Sequence, residues 1–315
     1  MRLVFCGTPQ FAVPTLEHLL LAGHTIELVL AQPDRPGGRG LAIEHSPVKQ
    51  FALSRGLSLA QPEKIRNNPE LQQRLVQLAP DAIVIVAYGR LIPSWMLALP
   101  PHGNLNLHAS LLPKYRGAAP IQWAVANGET ETGVTTMRID EGLDTGDILL
   151  QQRLEISPQQ TALDLFPMLA TQGANLMVQT LSGLAEGTLQ PRPQEGSLAT
   201  LAPILTREDG RIDWGRPAQQ IYDRWRGFQP WPGAFTILRG KKLSVHSLHP
   251  EISEDIVLPR ETSSGALIRS GSRLFAACGA GSWVELLELQ WEGKRRMPVG
   301  AFLNGVQIAS GERLG

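Results

Sequence analysis

The sequence predicts an α/β protein in which a Rossmann-like, doubly wound and mostly parallel sheet is followed by a small C-terminal β-barrel of the OB-like kind. Short apolar runs alternate with helical patterns through residues 1–156, which is the order of elements in a parallel sheet covered by helices. Short alternating segments separated by frequent turns follow after Asp213, and this spacing favours a barrel. A chain of 315 residues with 43% hydrophobic content is long and apolar enough for two domains.

The first domain opens with a predicted strand at residues 2–6, the turn Gly7-Thr8-Pro9 and a helix over residues 11–21. Short apolar runs bounded by turn residues are typical of buried strands. Further strands are predicted at residues 25–31, 81–87, 104–108 and 133–139, with an antiparallel addition at 148–156. Helices are predicted from Ser46 or Pro47 to 55, from 69 to 78 and from 161 to 184, because Ser, Thr and Pro favour helix starts.

The boundary between the domains is predicted at residues 188–205. This stretch is rich in Pro, Gly, Gln, Ser and Thr and contains Pro191-Arg192-Pro193, which is typical of an extended linker. The prediction is therefore a first domain over 1–187 and a barrel domain over 206–315. The barrel domain is expected to hold a helix at 218–226 and strands at 234–238 and 242–248.

Composition excludes several classes of protein. The two cysteines, Cys6 and Cys278, are far apart and have no His cluster beside them, so neither a disulfide framework nor a metal site is predicted. The N-terminal apolar run is too short for a signal peptide, and no run reaches the roughly 18 apolar residues of a membrane helix. We therefore expect a cytoplasmic protein without membrane contact.

The net charge is zero, but it is unevenly distributed. Residues 1–206 carry 14 basic and 17 acidic side chains, a net −3, whereas residues 207–315 carry 15 and 12, a net +3. A basic C-terminal part favours an anionic partner.

The alternation of polar and apolar residues between Gly103 and Ser110 predicts that Asn106 and His108 project from one face of a strand. Ligands of parallel sheets bind beyond the carboxyl ends of strands, and Pro113 marks a loop after this strand. His108 is therefore predicted at the mouth of a cleft. Taken alone, the pair also fits a hydrogen-bonded core histidine and a turn asparagine.

A second candidate is the carboxylate-rich loop after the strand at residues 133–139, which contains Asp140, Asp144 and Asp147. If this loop lay at the sheet edge that carries His108, one carboxylate could orient the imidazole or hold a water. The three could equally be turn formers. An amide, an imidazole and a carboxylate suit direct acyl transfer between two bound substrates, with Asn106 on the oxyanion, His108 moving protons and Asp144 supporting His108.

The sequence contains no motif for covalent serine catalysis or for nucleotide binding. Ser110 lacks glycines at positions 108 and 112, so it does not sit in a nucleophile elbow. The turn at Gly7 lacks the further glycines of a dinucleotide fingerprint, and no Gly-x-x-x-x-Gly-Lys occurs. No nucleotide site is therefore predicted.

Several segments resemble the 10-formyltetrahydrofolate-dependent formyltransferases across nearly the whole chain. They are Phe5 to Pro9, Gln32 to Gly40, Ser46 to Lys49, Asn106 to Gln122, Gly128 to Thr135, Leu143 to Asp147, Ile212 to Trp214, Pro230 to Gly233 and Phe302 to Gly305. The resemblance implies transfer of a formyl group from 10-formyltetrahydrofolate, as co-substrate, to the α-amine of methionine esterified to initiator tRNA, without metal or nucleotide.

The resemblance also implies roles for individual residues. Asn106 would stabilise the tetrahedral intermediate, His108 would transfer protons, and Asp144 would position His108 and a water. Folate would be contacted by Ser110, Leu111, Leu112 and Pro113, and its pterin by the backbone of residues 86–92, including Tyr88 and Gly89.

For tRNA, the resemblance implies a loop at residues 34–46 that reaches the acceptor end, with Arg35 and Arg39, and contacts from the barrel. Relatives commonly carry lysines where this chain has Leu41 to Glu44 and Ile204. Basic residues that could compensate are Lys241, Lys242, Lys294, Arg295 and Arg296. A chain that binds one large tRNA needs no partner subunit, so a monomer is expected.

Two kinds of alternative remain. One is a related enzyme: a sugar-nucleotide or glycinamide ribonucleotide formyltransferase, or a formyltetrahydrofolate hydrolase. The arginine-glycine loop around Arg39 and the C-terminal domain argue against these. The other is a non-catalytic RNA-binding or folate-sensing module, which the presence of Asn106, His108 and Asp144 disfavours.

Overall fold

The computed structural model describes residues 1–37, 42–253, 256–259 and 261–315. It divides into two compact units. The first comprises residues 1–120, 131–155 and 164–203, and the second comprises 121–130, 156–163 and 204–315. The second unit therefore includes two segments from the N-terminal half of the sequence, and the domain boundary at 188–205 stays a prediction.

The first unit is a sheet with flanking helices. Its strands are β1 (Arg2–Gly7), β2 (Thr25–Leu30), β3 (Arg35–Gly37), β4 (Ala42–Glu44), β5 (Leu59–Ala60), β6 (Ala82–Val86), β7 (Asn104–His108), β8 (Glu131–Arg138) and β9 (Ile148–Glu155). Its helices are α1 (Val13–Leu21), α2 (Pro47–Ser54), α3 (Pro69–Leu78), α4 (Ser94–Leu97) and nearly all of α6 (Ala162–Ala185), while α5 (Pro120–Ala126) runs from the first unit into the second.

Within the described residues, the main sheet has the strand order β5-β2-β1-β6-β7-β8-β9. The pairs from β5 to β7 are parallel, and β8 and β9 extend the sheet in antiparallel fashion. Every residue of β6 is buried, as expected for a strand covered by helices on both faces. The predicted fold class is confirmed for this unit, including the antiparallel addition of β9.

One detail of the sheet differs from the sequence interpretation. Only the strand at residues 148–156 is predicted to be antiparallel, whereas β8 also runs antiparallel to β7, with His108 opposite Thr135 and Leu105 opposite Arg138. The end of β8 therefore lies beside the start of β7, about three residues or roughly 10 Å from His108. The alternation of polar and apolar residues assigns faces to a strand but does not encode its direction, which is why the sequence did not reveal this.

Two of the predicted helices begin with capping hydrogen bonds. The Ser46 hydroxyl accepts a hydrogen bond from the Lys49 backbone amide at 3.3 Å, and Pro47 occupies the first turn of α2. The Asn68 side chain accepts from the Leu71 amide at 3.0 Å at the start of α3. These contacts satisfy donors that the first turn of a helix leaves free.

The second unit contains the expected barrel-like sheet. Its elements are α7 (Ala218–Gly227), β10 (Phe235–Leu238), β11 (Lys241–His249), β12 (Leu267–Ser270), β13 (Arg273–Ala277), β14 (Trp283–Trp291), β15 (Met297–Pro298) and α8 (Val299–Gly305). In the part of the chain that the structure describes, these strands pair antiparallel in the order β10-β11-β14-β13-β12, with β15 on β14. Its core contains Leu243, Leu286 and Phe302.

A buried ion pair on α7 holds one of the early segments, residues 156–163, in the second unit. Arg226 and Asp223 on α7 are 4% and 6% exposed and pair at 2.6 Å. Arg226 also donates to the carbonyl of Gln160 at 2.6 Å. Buried charges persist only where they are paired and hydrogen-bonded, so this contact fixes the segment 156–163 to α7. No helix within the described ranges has the length and apolar character that a membrane span needs.

Candidate active site

His108 ends β7 and is 6% exposed. Its Nε2 lies 2.8 Å from the carbonyl oxygen of Tyr115, in the loop that follows the strand. A carbonyl can only accept, so Nε2 carries the ring proton, and in the neutral imidazole Nδ1 is left with a lone pair. Tyr115 has a φ of 61°, a left-handed conformation that is uncommon for a residue with a side chain. The loop therefore selects one tautomer of His108.

Asp144 is the carboxylate that reaches His108. Its Oδ2 lies 3.6 Å from Nδ1 of His108 and accepts a hydrogen bond from the Gly117 amide at 2.9 Å. A separation of 3.6 Å is too long for a hydrogen bond, so Asp144 acts on the imidazole through its charge. Both side chains are largely buried, which weakens solvent screening.

The structure separates the roles of the loop carboxylates. Asp140 accepts hydrogen bonds from the Gly142 amide and the Thr145 hydroxyl, at 3.0 and 2.7 Å, and is a turn former. Asp144 itself has a φ of 51°. Strained backbone of this kind persists only where neighbouring contacts hold it, and this conformation brings the carboxylate to the loop after β7 despite the antiparallel direction of β8.

Asn106 lies on the same face of β7 as His108, two residues earlier, and is half-buried. Among the described residues, its side-chain amide makes no hydrogen bond with the protein. Asn104 differs, because it is 2% exposed and donates to the carbonyls of Met96 and Leu97. Asn104 is therefore structural, whereas the amide of Asn106 is available to a ligand.

The predicted folate segment is a tightly bonded loop. Ser110 is fully buried and its hydroxyl donates to the Lys114 carbonyl at 2.6 Å. Leu112 is 3% exposed and precedes a cis peptide bond to Pro113. Leu111 and Pro113 are half-buried. Ser110 and Leu112 thus shape the loop, and Leu111 and Pro113 present its partly accessible surface.

The second predicted folate segment follows β6. The Tyr88 side chain is 1% exposed and packs in the core of the first unit, where burial raises the pKa of its hydroxyl above the usual range. The Gln32 side-chain amide donates to the carbonyls of Tyr88 and Gly89, at 2.8 and 3.4 Å. A Cβ at Gly89 would come within 2.7 Å of that amide. Only backbone atoms of Tyr88 and Gly89 are therefore suited to ligand contact, and Gln32 is a neighbour that the sequence did not reveal.

Two further residues that sequence reasoning missed lie in the segment 188–203. Gln194 donates to the carbonyls of Asp144 and Gly146 and accepts from the guanidinium of Arg116. The hydroxyl of Thr200 accepts from the Tyr115 amide at 2.8 Å. The proline-rich composition of this segment predicted a linker and gave no signal of contacts with the site.

The predicted tRNA-binding residues of the second unit share one end of its sheet. Lys241 and Lys242 begin β11, and the Lys242 carbonyl accepts from the Glu292 amide at 3.2 Å, just before the turn that carries Lys294 and Arg295. Arg296 next to them pairs with Glu288. Lys241, Lys294 and Arg295 are exposed. The pairing of β11 with β14 therefore brings several cationic side chains to one surface, and Glu288 partly neutralises one of them, Arg296.

The loop predicted to reach tRNA stands on a network around Asp34. The Asp34 carboxylate accepts from the Lys49 ammonium at 2.5 Å, from the Gln61 amide at 2.9 Å and from the His45 ring at 3.0 Å. The hydrogen bond from Lys49 is the main cause that lowers the pKa of Asp34 to about 2. Arg35 follows directly, is exposed and begins β3. Arg39 lies outside the described residues.

In the described ranges, no group of three or more His, Cys, Asp or Glu side chains is arranged to hold a metal ion. His108 has the Asp144 carboxylate beside its ring and the Asn106 amide on the same face of β7. This set can donate hydrogen bonds to an anionic oxygen, accept a proton at Nδ1 of His108 and stabilise the resulting positive charge.

Comparisons with known proteins identify the family of the chain. Residues 1–181 match the profile of the formyl transferase family, and residues 204–307 match the profile of the formyl transferase C-terminal domain. The chain belongs to the formyl transferase family. Two full-length relatives, both described as methionyl-tRNA formyltransferase, are those of Acidobacterium capsulatum, 63% identical, and Koribacter versatilis, 54% identical. The alignments cover 100% of this chain, with 100% and 99% of the relatives.

Solved structures share the fold at much lower identity. An N-formyltransferase from Helicobacter canadensis, in complex with folinic acid and dTDP-3-aminofucose, matches with a TM-score of 0.63 at 17% identity, over 90% of this chain and 98% of that one. HypX from Aquifex aeolicus, in complex with tetrahydrofolic acid, matches with a TM-score of 0.57 at 16% identity, over 96% of this chain and 47% of that one. At these identities the likeness concerns the fold alone.

Proposed function

We propose that this protein transfers the formyl group of 10-formyltetrahydrofolate to the free α-amine of methionyl initiator tRNA. The observation that carries the proposal is the pairing of His108 with Asp144 beside the free amide of Asn106, in a chain 63% identical over its full length to a methionyl-tRNA formyltransferase. Members with that description act on methionyl-tRNA, and the basic end of the second unit suits an RNA.

The reaction is assigned as direct acyl transfer. The amine nitrogen bonds to the formyl carbon, the bond between that carbon and N10 breaks, and one proton leaves the amine as one reaches N10. An α-amine with a pKa of about 7.7 to 8.0 is already partly neutral at cellular pH, so removing its proton is a modest task. Stabilising the oxyanion of the tetrahedral intermediate is the larger one.

Three residues, Asn106, His108 and Asp144, form a trio in which each has a separate role in this mechanism. The amide of Asn106 donates to the oxyanion. Nδ1 of His108, left unprotonated by the bond from Nε2 to the Tyr115 carbonyl, accepts the amine proton and returns a proton towards N10. The charge of Asp144, 3.6 Å away, stabilises the imidazolium that forms between these steps.

Folate is assigned to the surface formed by Leu111, Pro113 and the backbone of Tyr88 and Gly89. Leu111 and Pro113 offer partly accessible apolar atoms, and backbone groups at 88–89 suit a heterocycle that pairs through hydrogen bonds. The tRNA is assigned to Lys241, Lys242, Arg295 and Arg296, with Arg35 and Arg39 at the loop. A monomeric state and a cytoplasmic location also remain predictions.

An acceptor panel tests the function. Purified protein is incubated with 10-formyltetrahydrofolate and, in parallel, methionyl initiator tRNA, an amino-sugar nucleotide or glycinamide ribonucleotide, and formyl transfer is measured by mass spectrometry. Methionyl-tRNA is the expected acceptor, because the chain combines the formyl-transfer trio with a basic C-terminal surface. Product only on the sugar nucleotide or the ribonucleotide overturns the proposal, and folate hydrolysis without any acceptor product does so as well.

A further inference from the structure

The two loops that carry the partners of His108 are both bonded to one segment, residues 192–202. The carbonyl of Tyr115 lies in the loop after β7, and Asp144 lies in the loop after β8. Neither loop is a regular element, and both Tyr115 and Asp144 hold left-handed backbone conformations, with φ values of 61° and 51°. Such conformations require outside support.

Gln194 supplies that support to the loop of Asp144. Its Nε2 donates to the Asp144 carbonyl at 2.8 Å and to the Gly146 carbonyl at 2.7 Å. Its Oε1 accepts from Nε and Nη2 of Arg116, at 3.1 and 2.7 Å. Two carbonyls can only accept and a guanidinium can only donate, so the orientation of the amide is fixed and all four bonds need a glutamine.

Thr200 supports the other loop. Its hydroxyl accepts from the Tyr115 amide at 2.8 Å, and its carbonyl accepts from the Arg116 amide at 2.8 Å. Two residues further along, the Ala202 carbonyl packs closely against Gly117. A Cβ at Gly117, whose φ is 122°, would come within 2.6 Å of that carbonyl. This close approach explains why a glycine stands at 117, where its amide also binds Asp144.

We propose that Gln194 and Thr200 are positioning residues for formyl transfer. Gln194 fixes the distance between the Asp144 carboxylate and Nδ1 of His108. Thr200 fixes the Tyr115 carbonyl that holds the proton on Nε2. The segment 192–202 therefore sets both the charge beside the imidazole and the tautomer in which it acts. The kinetic part of this inference rests on the proposed function, whereas the tautomer part concerns the protein alone.

The kinetic test compares Gln194→Met and Thr200→Val with matched controls. Gln172→Met removes an amide that donates to a single carbonyl, that of Arg153, and Thr171→Val removes a hydroxyl that bonds to the Pro167 carbonyl; both are on α6. We expect kcat of Gln194→Met and Thr200→Val to fall roughly 10- to 100-fold, as for a misplacement of about 1 Å, with little change in KM for either substrate. The pH profile of kcat should also change in shape, and the controls should retain wild-type values.

The second arm needs no substrate. The tautomer is read by NMR from protein labelled with ¹⁵N-histidine. The signals of His108 are identified among those of the seven histidines as the ones lost in His108→Gln. In the wild type, the His108 ring should show the Nε2-protonated tautomer. Thr200→Val should show a mixture with the Nδ1-protonated tautomer, whereas Thr171→Val should not.

The outcomes separate the two proposals. Wild-type protein that fails to formylate methionyl-tRNA, but whose tautomer mixture changes in Thr200→Val, contradicts the proposed function and leaves the positioning role supported. Variants at 194 and 200 with wild-type kcat, pH profile and tautomer, or with losses explained entirely by a lower melting temperature at an unchanged pH profile, overturn the positioning role.

Discussion

At the scale of single residues, the hydrogen bond from Nε2 of His108 to the Tyr115 carbonyl is the most informative contact of the site, because it leaves Nδ1 as the ring nitrogen that faces Asp144. The imidazole and the carboxylate are 3.6 Å apart and mostly buried. In that setting Asp144 contributes when His108 is positively charged, which is during transfer of the amine proton.

Replacing Asp144 by Asn tests this electrostatic role. The amide oxygen of Asn can still accept from Gly117, but the negative charge is lost, and a unit charge at about 4 Å is worth about 4 kcal/mol at an effective dielectric constant of 20. We expect a loss of about 2 to 4 kcal/mol in transition-state stabilisation, roughly 30- to 1000-fold in kcat. Steady-state kinetics measure it, with Asp147→Asn in the same loop as control. Equal rates for the two variants would show that the charge at 144 has no special role.

The sequence predicted part of this site well. Two-residue spacing on a strand put Asn106 and His108 on one face, and the structure agrees. It could not choose among Asp140, Asp144 and Asp147, because the choice depends on left-handed backbone at Asp144 and on the amide of Gly117. It also missed Gln194 and Thr200, since long-range hydrogen bonds from an irregular segment leave no periodic pattern in the sequence.

At the scale of elements, the network around Asp34 anchors the β3–β4 hairpin. The donors to the Asp34 carboxylate come from three separate segments. Lys49 lies in α2, Gln61 directly follows β5, and His45 lies between β4 and α2. The hydrogen bond from Lys49 is the main cause that holds the pKa of Asp34 at about 2, against a usual value near 3.8. A carboxyl group with a lowered pKa in the folded state stabilises the fold above its unfolded pKa, and this contribution is lost as the pH falls from about 4 to about 2.

The variant Lys49→Met should therefore unfold at a higher pH than the wild type in an acid titration followed by circular dichroism. Without the ammonium, the carboxyl group of Asp34 takes up its proton nearer its ordinary pKa, so its contribution is lost earlier. The exposed Lys64 provides the control as Lys64→Met. An acid midpoint of Lys49→Met that matches that of Lys64→Met would mean that the network does not stabilise the hairpin.

Sequence patterns predict some properties of the helices and strands and leave others open. Buried β6 and the capped starts of α2 and α3 follow the apolar and capping signals. The antiparallel direction of β8 does not, because direction is set by the path of the connection rather than by the faces of the strand. The segments 121–130 and 156–163 join the second unit through contacts such as Arg226 with Gln160, which only the folded chain reveals.

At the scale of the whole molecule, the charge asymmetry has a structural basis. The net +3 of residues 207–315 includes cations gathered by the β11–β14 register at one end of the second unit's sheet. Arg296 is paired with Glu288, so Lys241 and Arg295 are better placed to contact phosphate. Phosphate contacts of this kind release counterions, which makes affinity depend on salt.

Affinity for methionyl initiator tRNA should accordingly fall steeply as salt rises, measured by filter binding between about 50 and 200 mM. The double variant Lys241→Ala with Arg295→Ala should bind more weakly and lower the slope of log K against log salt by roughly 2, about 1 for each phosphate that is no longer neutralised. Lys64→Ala serves as control. A double variant with the wild-type slope would remove this surface from the tRNA interface.

If Asn106, His108 and Asp144 form the formyl-transfer centre, Asn106→Ala should lose most of the rate of transfer. The measurement is the single-turnover rate of formyl transfer to methionyl-tRNA with both substrates saturating, beside Asn175→Ala, an exposed asparagine of α6, as control. Loss of an oxyanion donor should cost about 2.7 to 4 kcal/mol, a fall of about 100- to 1000-fold in rate, with the control unchanged. An Asn106→Ala protein that transfers formyl at the wild-type rate would contradict the assignment of these three residues to the formyl-transfer centre.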